Sequence, residues 1–187
     1  MRKLHTIEMH RLSITEFKNA EKIPLVVVLD NIRSLYNVGS VFRCGDAFRI
    51  EKICLCGITA CPPSAEIHKT ALGGEDSVAW EYYKNTATAV DSLHNADYYI
   101  YSIEQVEGSE KLQDLKLPYT FKDGKSIKGF AVILGNEVKG VEQTIVDKSD
   151  NCLEIPQFGT KHSLNVSTTA GIVMWEFVRR LAFEQHK

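Results

Sequence analysis

The chain has no long apolar run. Its longest wholly apolar stretches, such as Leu25–Leu29 and Phe130–Leu134, are strand-sized and fall well short of the ~20 residues that a membrane-spanning helix needs. It also lacks an excess of charge. Lysine and arginine total 22 against 24 acidic residues, for a net charge of −2. That excludes a broad, sequence-independent hold on nucleic acid, which runs on phosphate neutralisation, but not a local basic patch. Arg2, Lys3 and Arg11, and Lys161 with His162, are local groupings that would serve equally as solvated surface. Met1–Lys22 carries charges throughout and has no apolar signal segment, so a cytoplasmic location is expected.

Metal spacing is missing as well. Five cysteines are present, and Cys54, Cys56 and Cys61 form a CxC with one further thiol but no second ligand pair. Zinc sites usually need that second pair or spaced histidines, so no metal is expected. Reduced thiols, packed as small apolar side chains, are the reading. No GxGxxG follows the first apolar run and no GxxxxGK[ST] occurs, which argues against a dinucleotide fold and a phosphate-binding P-loop. Internal repeats and low-complexity segments are absent.

What remains is a composition, 44% apolar and 25% charged over 187 residues, that can bury a real core. Short apolar strands alternate with helical stretches, the pattern of an α/β protein with a parallel sheet flanked by helices. Residues 1–24 read as a partly helical N-terminal extension, and 25–187 as one domain. Ser13 with Glu16 forms a capping box for a helix over Ile14–Ala20, and Pro24 ends it. Strands are predicted at Leu25–Leu29, Lys52–Cys56, Ser77–Trp80, Tyr98–Tyr101, Gln113–Lys116, Phe130–Leu134 and Cys152–Ile155. Helices are predicted at Val38–Phe48, Ala65–Leu72, Ala87–His94, Val141–Lys148 and Ser163–Glu184. In the last of these, Val166, Ala170, Val173, Phe177 and Leu181 recur at helical spacing, so one face is core. Met174 and Trp175 widen that apolar surface.

Three polar clusters follow predicted strands, at the sheet edge where open α/β proteins bind ligands. The first runs from Asp30 to Arg43. In it Asn37 precedes a helix that it can cap, and Arg43, six residues on, could face the same pocket. The second is Gly135-Asn136-Glu137-Val138-Lys139-Gly140, an acidic residue framed by glycines. The third runs from Ile155-Pro156 to Ser163-Leu164-Asn165-Val166-Ser167 and opens the final helix, whose free N–H groups carry partial positive charge. Taken singly, these would be a cap, a turn and a helix start.

Taken together and in this order, the clusters resemble the SpoU (TrmH) branch of the SPOUT methyltransferases. The first resembles that family's N…NxGxxxR motif, the second its GxE…G motif, and the third its IP…G…SLNVS motif. The resemblance covers about Leu25 to Leu181. It implies a C-terminal deep trefoil knot, a homodimer with the active site at the subunit interface, and S-adenosylmethionine as cofactor. The implied reaction is methylation of a ribose 2′-hydroxyl in structured RNA, with tRNA the expected substrate. An rRNA substrate, or an RNA-binding protein without catalysis, are the alternatives. Arg43 resembles the family's essential arginine, and Asn37, Glu137, Ser163 and Asn165 its other active-site residues. The cofactor would sit among Ser102, Ile103 and Glu104, then Leu134 and Gly135, then Ile155, Pro156 and Leu164. The family often has Met after Ile-Pro; this chain has Gln157.

Overall fold

In a computed structural model of the chain, residues 1–161 and 163–184 are described. His162, grouped with Lys161 above, lies outside them. Seven strands form one sheet: β1 (Ile23–Asp30), β2 (Ile50–Cys56), β3 (Ala79–Tyr83), β4 (Tyr98–Ile103), β5 (Glu110–Lys111), β6 (Gly129–Leu134) and β7 (Asn151–Glu154). The spatial order is β3-β2-β1-β6-β4-β7-β5. Every pairing is parallel, with Val28 beside Cys54 on one side and Ile133 on the other. The helices are α1 (Ile14–Asn19), α2 (Leu35–Phe48), α3 (Ala65–Ala71), α4 (Gly74–Ser77), α5 (Thr86–Asn95), α6 (Gln143–Val146) and α7 (Val166–Val178). Among the described residues no helix is long and apolar enough to cross a membrane.

The run Leu25–Leu29 is almost purely apolar because both faces of β1 are covered. Leu25, Val27 and Leu29 join the core shared with α2 and α7, while Val26 and Val28 join the core beneath α5. On α7, the stripe Val166, Ala170, Val173 and Phe177 is buried, and Met174 is buried with it. Trp175 is left half exposed. Phe177 meets Tyr101 edge-on at 5.6 Å and Phe130 at 5.9 Å between ring centroids. Phe177→Ala is therefore expected to lower unfolding free energy by about 3–5 kcal/mol, read by denaturant titration. A loss under about 1 kcal/mol would mean that α7 is not packed as described.

The N-terminal segment is tied to this core. Ser13 and Glu16 form the reciprocal cap of α1 (Ser13 Oγ accepts from Glu16 N–H at 3.2 Å, Glu16 Oε2 from Ser13 N–H at 2.8 Å). Phe17 on that helix is buried among the residues of the larger cluster.

Several boundaries differ from the sequence expectation. Gln113–Lys116 is not a strand: Leu112–Asp114 is a turn of 3₁₀ helix that buries both Leu112 and Leu115, since residues three apart eclipse in that geometry. The short strand is Glu110–Lys111 instead. Ser77 ends α4 rather than starting β3, because its hydroxyl donates to Asp46 Oδ1 at 2.6 Å and so ties α4 to α2. The final α-helix begins at Val166, not Ser163, and gives way to π-helical turns over Arg179–Glu184. β7 stops at Glu154, which leaves Ile155-Pro156 in the loop that follows.

Candidate active site

The loops after β1, β6 and β7 meet at the carboxyl edge of the sheet. Helix α2 starts two residues before Asn37, capped by Ser34, whose Oγ accepts from Asn37 N–H at 3.3 Å. The sequence expectation that Asn37 caps the helix is thus corrected. Ser34 can take the role because its extended backbone leaves the hydroxyl free to reach the third residue of the helix. Asn37 then sits one turn in, with its side chain available.

That side chain joins the three clusters. Asn37 Nδ2 donates to Glu137 Oε1 at 3.1 Å, and Asn165 Nδ2 donates to Asn37 Oδ1 at 3.1 Å. The two bonds span 100 and 128 residues of chain. Glu137 also accepts from the backbone N–H groups of Arg33 (2.9 Å) and Ser34 (3.0 Å). Asn165 Oδ1 caps α7, accepting from Ser167 N–H at 2.9 Å and Thr168 N–H at 3.2 Å. One carboxylate thus fixes the first turn of α2, and one amide fixes the start of α7 against it.

A cavity of about 510 Å³ opens beside this network. Glu137, Ser163 and Asn165 stand on its wall, as do Ile103, Glu104, Leu134, Gly135, Ile155 and Leu164. Ser102 and Pro156 do not. Ser102 is fully buried, its hydroxyl 2.7 Å from that of Ser149. Glu104 lines the cavity, but its carboxylate is engaged: Oε2 accepts from Val141 N–H at 2.9 Å and Oε1 from Gln105 N–H at 3.0 Å. Gln157 lines the wall as well. Sequence reasoning passed over Asn136 as a working residue. Its Nδ2 donates to Asn31 O at 2.8 Å, and its Oδ1 accepts from Val138 and Lys139 N–H, so it shapes the loop that carries Glu137. The only sequence signal was its place between a glycine and the acidic residue.

Arg43 stands apart. It is exposed on α2, is not on the cavity wall, and makes no side-chain hydrogen bond or ion pair among the described residues. The expectation that Asn37 and Arg43 face one pocket is not met within this chain. Six residues of α-helix turn the chain by about 600°, leaving the two side chains about 120° apart and about 9 Å apart along the axis.

Burial works against charge on Glu137, but hydrogen bonds from the Arg33 and Ser34 backbones and from Asn37 outweigh it and hold the carboxyl below its ordinary value of 4.5. It is a carboxylate at neutral pH, an anchor rather than a proton donor. The sign of the linkage follows. A lowered folded-state value stabilises at pH above 4.5 and loses that contribution as pH falls through the lowered value. The difference in melting temperature between the native chain and Glu137→Gln is expected to be constant from pH 8 to about 5 and to shrink in more acidic buffer. A difference that stays flat to pH 3 would show that the charge contributes nothing. The thiols of Cys54 and Cys56 are pushed up to about 12 by burial, so neither is a ready thiolate.

An open parallel α/β sheet with a cavity at its carboxyl edge, ringed by side chains from three loops, defines a protein that holds a small ligand where strand order places β6 between β1 and β4. Residues 24–175 match the model of the SpoU rRNA Methylase family. The chain belongs to that family. It is 30% identical over 165 residues to an uncharacterized tRNA/rRNA methyltransferase of Borreliella burgdorferi, covering 88% of this chain and 68% of that protein. It is 26% identical over 170 residues to the 23S rRNA (guanosine-2′-O-)-methyltransferase RlmB of Neisseria meningitidis serogroup B, covering 91% of this chain and 64% of that one. Among solved structures, an AdoMet-bound rRNA methyltransferase from Sinorhizobium meliloti superposes with a TM-score of 0.74 at 25% identity, over 89% of this chain and 60% of that chain. The A. aeolicus TrmH/SpoU tRNA modifying enzyme gives 0.73 at 24% identity, over 88% and 78%. The chain spans 61% to 68% of the length of the first curated relatives it matches.

Proposed function

We propose that the chain is an RNA methyltransferase that uses S-adenosylmethionine to methylate a ribose 2′-hydroxyl, with tRNA the first substrate class and rRNA the second. The observation that carries this reading is the hydrogen-bonded line Asn165–Asn37–Glu137, which joins all three motif loops at the edge of one cavity. The residues fit the cofactor. Gly135 lets the loop after β6 pack against the Gly140–Val141 backbone, which a Cβ would block, and so shapes the cavity wall, while Leu134, Ile155 and Leu164 offer apolar contact. The names of the relatives, tRNA/rRNA methyltransferase and 23S rRNA (guanosine-2′-O-)-methyltransferase, point the same way.

When bound, S-adenosylmethionine supplies an electrophilic methyl group. Transfer needs the ribose oxygen in line and close, and positioning of that kind supplies about 7–11 kcal/mol in favourable cases. Glu137 holds the first turn of α2, and Ser163 and Asn165 line the mouth where ribose and cofactor meet. A guanidinium makes a poor base, so Arg43 takes another role. Its planar fork grips an RNA phosphate and stabilises the alkoxide that forms as the hydroxyl proton departs to phosphate or water.

We also read the chain as a homodimer with a deep trefoil knot. Arg43 lies outside its own cavity, and Ile172 and Trp175 on α7 are exposed. The order β6-β4-β7, whose loops all reach the cavity, supports the knot. The test is methylation of total RNA with labelled S-adenosylmethionine, followed by mapping of the modified nucleotide. Incorporation at one 2′-hydroxyl is expected, and no incorporation into any RNA overturns the reading. Mixed dimers of Arg43→Ala with Asn165→Ala are expected to regain part of the activity that each lacks alone. No recovery would show that Arg43 does not act across the interface.

A further inference from the structure

A second cavity, of about 390 Å³, lies across the Asn136–Gly140 loop from the first. Its walls come from the ends of β1 and β2 and from the loop after β6. It has three features to account for, and of the side chains that make them Val138 and Lys139 also border the first cavity. Arg33 and Lys139 line it, both exposed and without a side-chain partner among the described residues. Ile58 and Val138 line it too, at 65% and 74% exposure, and give it an apolar side. Asp30 lines it while only 1% exposed. Asp30 Oδ1 accepts from Thr86 Oγ1 and from Asn31 Nδ2, but Oδ2 has no partner. A buried carboxylate oxygen left in that state is costly.

Two free cations, with the exposed carboxylate of Glu142 beside them, two aliphatic side chains and an unmatched acceptor together suit a nucleotide unit of RNA. Phosphate would suit Arg33 and Lys139, and a base would find apolar contact at Ile58 and Val138. An exocyclic amino group is the donor that the Asp30 oxygen lacks. We propose that this second cavity binds a nucleotide of the substrate RNA beside the one methylated, and favours a base carrying an exocyclic amino group. The idea rests on the RNA-methyltransferase reading and adds a specificity site to it. Cytosine and uracil separate the features cleanly. They are alike in size, but cytosine presents an amino donor where uracil presents a carbonyl acceptor.

The experiment measures fluorescence anisotropy with labelled cytidine and uridine decamers, in saturating S-adenosylhomocysteine so that the first cavity is filled. The native chain is expected to bind the cytidine decamer at least fivefold more tightly. Arg33 and Ile58 line the second cavity and not the first, so their variants separate the two. Arg33→Gln is expected to weaken both decamers about tenfold and to flatten the salt dependence by about one phosphate contact. Ile58→Asp is expected to weaken both without changing cofactor affinity. Equal affinity for the two decamers overturns the role of Asp30. Native affinity in both variants overturns the cavity. Calorimetry with S-adenosylmethionine is run alongside: absent cofactor binding with intact decamer discrimination would sink the methyltransferase reading and leave this site standing.

Discussion

Gly135→Ala is expected to raise the dissociation constant for S-adenosylmethionine at least 100-fold. A Cβ at this position would lie 2.1 Å from Gly140 C, 2.2 Å from Val141 N and 2.4 Å from Gly140 O. All three are backbone atoms, so no side chain can swing away to make room. The opposing segment is itself held. Gly140 N–H donates to Asn136 O at 2.8 Å, and Val141 N–H donates to Glu104 Oε2 at 2.9 Å. Gly140 also has φ +70°, and a Cβ there would meet Glu104 Oε2 at 2.1 Å, so the turn has little freedom to re-form. The loop must therefore leave its place and take the wall of the cavity with it. A 100-fold loss corresponds to about 2.7 kcal/mol of binding. Calorimetry reads it directly. Native affinity in Gly135→Ala would mean that the cofactor lies elsewhere.

Arg43→Lys is expected to lower kcat by about 10²–10³, the cost of losing a donor aimed at developing negative charge. Lysine keeps the charge but not the planar fork that holds a phosphate through two bonds. The structure makes this substitution unusually easy to interpret. Arg43 is exposed and makes no hydrogen bond or ion pair among the described residues, so neither melting temperature nor cofactor affinity is expected to move. A kcat near native would show that a point charge suffices and that the guanidinium geometry plays no part. A falling melting temperature would show instead a structural role for Arg43.

The elements most legible in the sequence are those in which one local pattern decides the outcome. Ser13 and Glu16 announce the start of α1 because both capping bonds form within four residues. The unbroken apolar run of β1 announces a strand covered on both faces. Boundaries were lost where a distant partner decides. Asn37 reads as a helix cap on its own, yet Ser34 holds that place, and Asn37 is drawn inward by Glu137 and Asn165. Gln113–Lys116 reads as a strand until the 3₁₀ turn at Leu112–Asp114 and the burial of Leu115 are seen. Ser102 sits where a loop residue would meet the cofactor, but β4 runs to Ile103 and carries Ser102 into the interior.

The sequence by itself determined the class of fold, since a parallel sheet is written in apolar runs whose period and length need no partner to be recognised. It also determined which residue types stand in three loops, in an order that resembles one family. Tertiary structure alone decided which of those residues meet. The Asn165–Asn37–Glu137 line exists because strands β1 and β6 lie side by side and α7 packs on α2, contacts between segments more than 100 residues apart in the chain. It likewise decided that Arg43 is left off the cavity wall, since helix pitch, not motif spacing, sets the direction of a side chain.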